Sequence, residues 1–143
     1  MTGDSKSLAR FLEAQVEIYP IVLDELRSGQ KRSHWMWFIF PQLRGLGSSP
    51  TSVHDGIASR QEAQDYLSDP ILGSRLLECT QLVLNIKNRT AFDIFATPDD
   101  LKFQSCMSLF QFVDPAQQSF SQALDQFFTG QVDARTKAML EAS

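Results

Sequence analysis

Residues 31–47 read KRSHWMWFIFPQLRGLG, and their side chains suit a planar, anionic ligand. The indole faces of Trp35 and Trp37 can stack on a base or ring, while Lys31, Arg32 and Arg44 supply charge that holds phosphates. Gly45 and Gly47 lack a Cβ, so their amides can approach an anion closely. Gln42 offers a donor and an acceptor side by side, matching an amide or a base edge. These are the components of a nucleotide pocket, although Arg44-Gly45-Leu46-Gly47 is neither a phosphate loop nor a dinucleotide fingerprint.

Acid–base chemistry in such a pocket would fall to His34, whose unperturbed pKa lies near neutrality, and to the carboxylate of Glu62. Each has a plain structural reading beside it. A histidine often makes one structural hydrogen bond, and Ser59-Arg60-Gln61-Glu62 is the spacing of a capping box. Lys102, Ser105 and Ser108 fall at three-residue steps, either a polar stripe facing the aromatic segment or a solvated face. His54 and Asp55 form a second polar pair. His34, His54, Cys79 and Cys106 have no metal-ligand spacing, so no metal and no cofactor is expected. No nucleophile elbow surrounds Ser33 or Ser105, which argues against a serine hydrolase.

Charge narrows the ligand. The 143 residues carry a net charge of −4, against general nucleic-acid binding. Residues 26–61 nevertheless hold Arg27, Lys31, Arg32, Arg44 and Arg60 against the single acid Asp55. An acidic chain with one basic segment suits a small anion, unless that segment is only a solvated face. No apolar run reaches membrane-spanning length and no leader-like apolar stretch opens the chain. Two cysteines are too few for a disulfide framework, so a reducing cytoplasm is the expected setting.

The elements that must position these residues read as helices. Apolar residues recur at helical spacing from Ser7 to Arg27, with Pro20 expected to kink that helix and Gly29 to stop it. SHWMWFIFP, residues 33–41, is apolar on both faces and is read as a short buried helix ended by Pro41. In a helix Trp35 and Trp37 point about 200° apart, placing one in the core and one in the pocket. The whole run could equally be core. Asp69-Pro70, Thr97-Pro98 and Asp114-Pro115 each set a capping side chain before a proline at a helix start. Asp133 caps a last short helix. The expectation is an all-α single domain, 1–143 with its core at about 7–141, of six or seven helices.

The segments RFLEAQ, YPIVLDELRSGQKRSHWMWFIFPQLRGLG, GIASRQEAQDYLSDPILGSRLLEC, PDDLKFQSCMSLF and TGQVDARTKAML closely resemble the bacterial family called domain of unknown function 1810. Members sometimes bear the label calpastatin, which implies a disordered, repetitive inhibitor unlike this aromatic-rich chain. The aromatic–cationic segment, Glu62-Ala63 and Lys102-Phe103 are also similar to the NADAR superfamily, associated with ADP-ribose and NAD derivatives and including N-glycosidases. That resemblance implies that Lys31, Arg32 or Arg44 contacts phosphates, a tryptophan stacks on the ring, and Glu62 steadies an oxocarbenium-like centre. The chain lacks that group's Trp-Gly-x-Gly ending, and Val53-His54-Asp55-Gly56 stands where related sequences carry a tyrosine.

The expected function is therefore binding of a nucleotide-derived metabolite of the ADP-ribose or NAD type by a monomer or homodimer, with its hydrolysis left open. The alternative is a non-catalytic module that uses residues 31–47 to bind a partner protein or its own copy.

Overall fold

Pro20 begins a helix instead of bending one. In the computed structural model, which describes residues 3–44 and 56–142, the expected helix from Ser7 to Arg27 is two helices, α1 (Gly3–Gln15) and α2 (Tyr19–Ser28). Proline lacks an amide that the first turn leaves without an intrahelical partner, and Pro20 occupies that turn of α2. Gly29 closes α2 at φ 81°, the left-handed conformation that suits glycine at a helix end.

The aromatic run forms a single helical turn, α3 (Met36–Ile39), with Trp35 before it and Phe40 after it. Next comes α4 (Arg60–Ser68), where Ser59 Oγ accepts the Glu62 amide at 3.1 Å. The reciprocal bond of the expected capping box lands one residue earlier: Glu62 Oε1 accepts the Ala58 amide at 2.8 Å. Asp69 Oδ1 accepts the amides of Ile71 and Leu72 at 2.9 Å and leads into α5 (Leu72–Leu84). A Cβ on Gly73 would lie 2.1 Å from the carbonyl oxygen of Leu67, so the corner between α4 and α5 closes only around glycine.

A helix without a counterpart in the sequence reading, α6 (Ala91–Phe95), is started by a full capping box between Thr90 and Asp93. It precedes α7 (Asp99–Val113), α8 (Gln118–Phe128) and α9 (Ala134–Ala142). Two expected caps differ. The Thr97 hydroxyl donates to Asp100 Oδ1 at 2.7 Å instead of accepting a first-turn amide. Asp114 ends α7, and α8 starts later behind the side chain of Gln117. Asp133 does cap α9, accepting the Thr136 amide at 2.9 Å. The described residues thus form nine helices, not six or seven, because the first expected helix is split and α6 is added.

Helix α7 is buried around most of its circumference and packs against α4, α6, α8 and α9. Phe103 on it meets Phe40 at 4.9 Å and Phe95 at 4.8 Å between ring centroids. Ser105 and Ser108 are buried instead of forming a solvated face, and their hydroxyls donate to the carbonyls of Leu101 and Gln104 one turn back. Leu43 and Ile57 form an isolated parallel bridge. No helix among the described residues is long and apolar enough to cross a membrane.

Candidate functional site

Glu25 organises the start of the aromatic–basic segment. It lies one turn after Val22 and beside Leu26, on the buried stripe of α2, and is 6% exposed. Its carboxylate accepts the amides of Arg32 (2.7 Å) and Ser33 (3.0 Å), the Ser33 hydroxyl, and the indole Nε1 of Trp35 (2.8 Å). Burial alone would raise its pKa, but the Ser33 hydroxyl, the two amides and the indole outweigh it and hold the group at about 2. Trp35 is 0% exposed, its ring against Phe40, so it belongs to the core. Trp37 is half-buried, 5.9 Å from the Phe11 ring and 5.2 Å from that of Phe38. Glu25 was missed in the sequence because an acid in the run DELRSG reads as solvated. Its place at an apolar-stripe position was the signal.

The expected phosphate ligands divide. Lys31 Nζ lies 2.9 Å from Asp99 Oδ2 and 5.2 Å from the centre of the Trp35 ring, and its side chain is 9% exposed. Lys102 Nζ shares the same carboxylate at 3.7 Å. Both cations offset the charge of Asp99, and Lys31 pins α7 to the segment, Lys102 lying on α7 itself. Arg32 is exposed and reaches Ser28 Oγ at 3.4 Å. His34 is exposed as well, with no side-chain hydrogen bond among the described residues to prepare it for proton transfer.

Gln42, Arg44 and Glu62 instead come together around the Leu43–Ile57 bridge. The Ile57 amide donates to the Gln42 carbonyl and the Arg44 amide to the Ile57 carbonyl, each at 2.8 Å. Beside them Arg10, which the sequence reading did not single out, donates from Nη2 to Glu62 Oε1 (2.9 Å) and to the Gly56 carbonyl (2.8 Å). Glu62 is 4% exposed, and its carboxylate is held from two sides by Arg10 and the Ala58 amide. A Cβ on Gly56 would stand 2.9 Å from Arg44 Cα and N, so only glycine lets the two segments approach. The side-chain oxygen of Gln42 is buried with no hydrogen-bond partner among the described residues. Gly45, Gly47, His54 and Asp55 lie outside the described residues.

The profile of the family described as "Protein of unknown function (DUF1810)" matches residues 5–140. The chain belongs to the DUF1810 family. The crystal structure of the conserved hypothetical protein Rv1873 from Mycobacterium tuberculosis is 51% identical, with a TM-score of 0.93 over 95% of this chain and 97% of that one. No curated protein matches the chain. Neither match speaks for the NADAR likeness or for the calpastatin label.

In this DUF1810 chain the two cysteines are unsuited to nucleophilic chemistry. Both are buried and free, and burial pushes the Cys79 thiol up to about 12 and that of Cys106 well above its ordinary value. Among the described residues no group of three His, Cys, Asp or Glu side chains could hold a metal ion.

Proposed function

We propose that this DUF1810 chain binds a small, anionic, nucleotide-derived metabolite of the ADP-ribose or NAD type over the Leu43–Ile57 bridge. The observation that carries the reading is the buried side-chain oxygen of Gln42, an acceptor that finds no donor among the described residues. The exocyclic amine of adenine or the carboxamide of nicotinamide supplies such a donor. Arg10 and Arg44 bring positive charge to the same bridge.

If the ligand carries an N-glycosidic bond, Glu62 is the residue suited to steady positive charge at the sugar carbon. The carbon–nitrogen bond breaks with its electrons leaving on the base. Water adds its oxygen to the carbon and loses a proton, which protonates an adenine leaving as an anion or passes to solvent when nicotinamide leaves neutral. Glu62 serves as an electrostatic partner in this reading, since Arg10 and the Ala58 amide already hold its oxygens. The alternative, a protein-binding module built on residues 31–47, would rest on the half-buried Trp37, since Trp35 lies in the core.

A thermal-shift screen against ADP-ribose, NAD, nicotinamide riboside phosphates, common nucleotides and inorganic phosphate tests the proposal. Gln42→Leu removes an unpaired buried acceptor, so the free variant is expected to melt no lower than the wild type while losing the ligand's shift. Arg44→Ala should abolish the shift of any phosphate-bearing ligand. A flat screen with folded wild type would sink the reading.

A further inference from the structure

The break between α1 and α2 leaves an apolar groove of about 730 Å³ on the surface. Ala14, Ile18 and Phe38 line it, and Gln15 helps fix it by donating to the Phe38 carbonyl at 2.7 Å. Val16 and Ile21 border it while 70% and 45% exposed, large apolar side chains left in water on adjoining turns. The remaining lining residues described are Glu13 and Glu17, both exposed, and none of the described residues lining the groove is basic.

The charged side chains that line the groove are acidic, while the first turn of α2 and Arg75, which donates to Gln15 Oε1 at 3.1 Å, bring positive charge only to its margin. The groove sits at the C-terminal end of α1, where the last carbonyls concentrate negative partial charge. No basic side chain lies in that last turn to offset it, and two carboxylates add to it. An anionic lipid surface or a nucleic-acid backbone would be repelled. An apolar floor between acids is complementary to a helix or strand that alternates apolar and basic side chains.

We propose that this groove docks a cationic amphipathic segment of a partner protein, its apolar side chains against Ile18 and Phe38 and its Lys or Arg side chains beside Glu13 and Glu17. The site is separate from the Leu43–Ile57 bridge and stands whether or not a metabolite binds there.

Fluorescence anisotropy with a labelled amphipathic peptide of leucine and lysine, and with its leucine–glutamate counterpart, tests this directly. The lysine peptide should bind and the glutamate peptide should not. Glu17→Lys and Val16→Asp should each weaken binding about tenfold, whereas Glu141→Lys, an equal charge change on α9, should leave it unaltered. All three positions are exposed, so melting temperatures should match the wild type. Absence of binding, or equal weakening by Glu141→Lys, would overturn the proposal. So would sedimentation showing a wild-type dimer that Val16→Asp dissolves, because the occupant would then be a second copy of the chain.

Discussion

The indole Nε1 of Trp35 donates to Glu25 Oε1 at 2.8 Å, joining a buried tryptophan ahead of α3 to a buried acid on α2. Three further donors, from Arg32 and Ser33, meet the same carboxylate. Glu25→Ala would leave four donors without their acceptor, and should cost about 3 kcal/mol or more in urea denaturation.

That carboxylate also sets an acid limit. Its folded-state pKa of about 2 lies below the ordinary value of 4.5, so its contribution is fully present above the ordinary value and is lost as pH falls toward the folded one. Denaturation midpoints should show wild type losing its advantage over Glu25→Gln as pH drops from about 5 to about 2. A constant gap across that window would contradict the assignment.

The two tryptophans should separate in stability. Trp35→Ala empties a fully buried site and should cost about 3–5 kcal/mol, with Trp37→Ala clearly less because that ring is half-buried. Trp35→Phe leaves Trp37 as the sole emitter, and its quenching by a nucleotide would report directly on the segment.

Lys31 and Lys102 should behave as unequal partners of Asp99. Lys31→Ala removes a nearly buried ammonium 2.9 Å from the carboxylate and should cost about 1–3 kcal/mol. Lys102→Ala, at 3.7 Å and with its side chain 43% exposed, should stay within about 0.5 kcal/mol. Thermal and urea unfolding of both variants checks the order.

Native protein should resist thiol reagents. Cys79 and Cys106 are buried with raised pKa values, so labelling should wait for unfolding and follow its denaturant dependence. Rapid modification of either thiol under native conditions would disprove the packing around it.

Helices were legible where punctuation was local. Gly29, Asp69, Asp133 and the Ser59–Glu62 spacing mark their turns through bonds spanning a few residues. Pro20 misled because the same residue bends a helix from within and begins one from its first turn. Its role is decided by the packing of Phe11 and Val22 on either side of the break. The candidate site was less legible. Lys31, Arg44 and Glu62 look equivalent as charges, yet each is claimed by a partner far along the chain or in another turn. Arg10 and Glu25 escaped notice because their roles exist only between elements that sequence order separates.

The Leu43–Ile57 bridge acts as a clasp on the chain. Two backbone hydrogen bonds hold Gln42, Arg44 and Ile57 together, and Gly56 permits the fit. Arg10 on α1 donates both to the Gly56 carbonyl beside the clasp and to Glu62 on α4, so the two helices are tied to each other through it. The clasp therefore works as a shared rivet: a change at Gly56 would loosen α1 and α4 together, two helices that lie far apart in the chain.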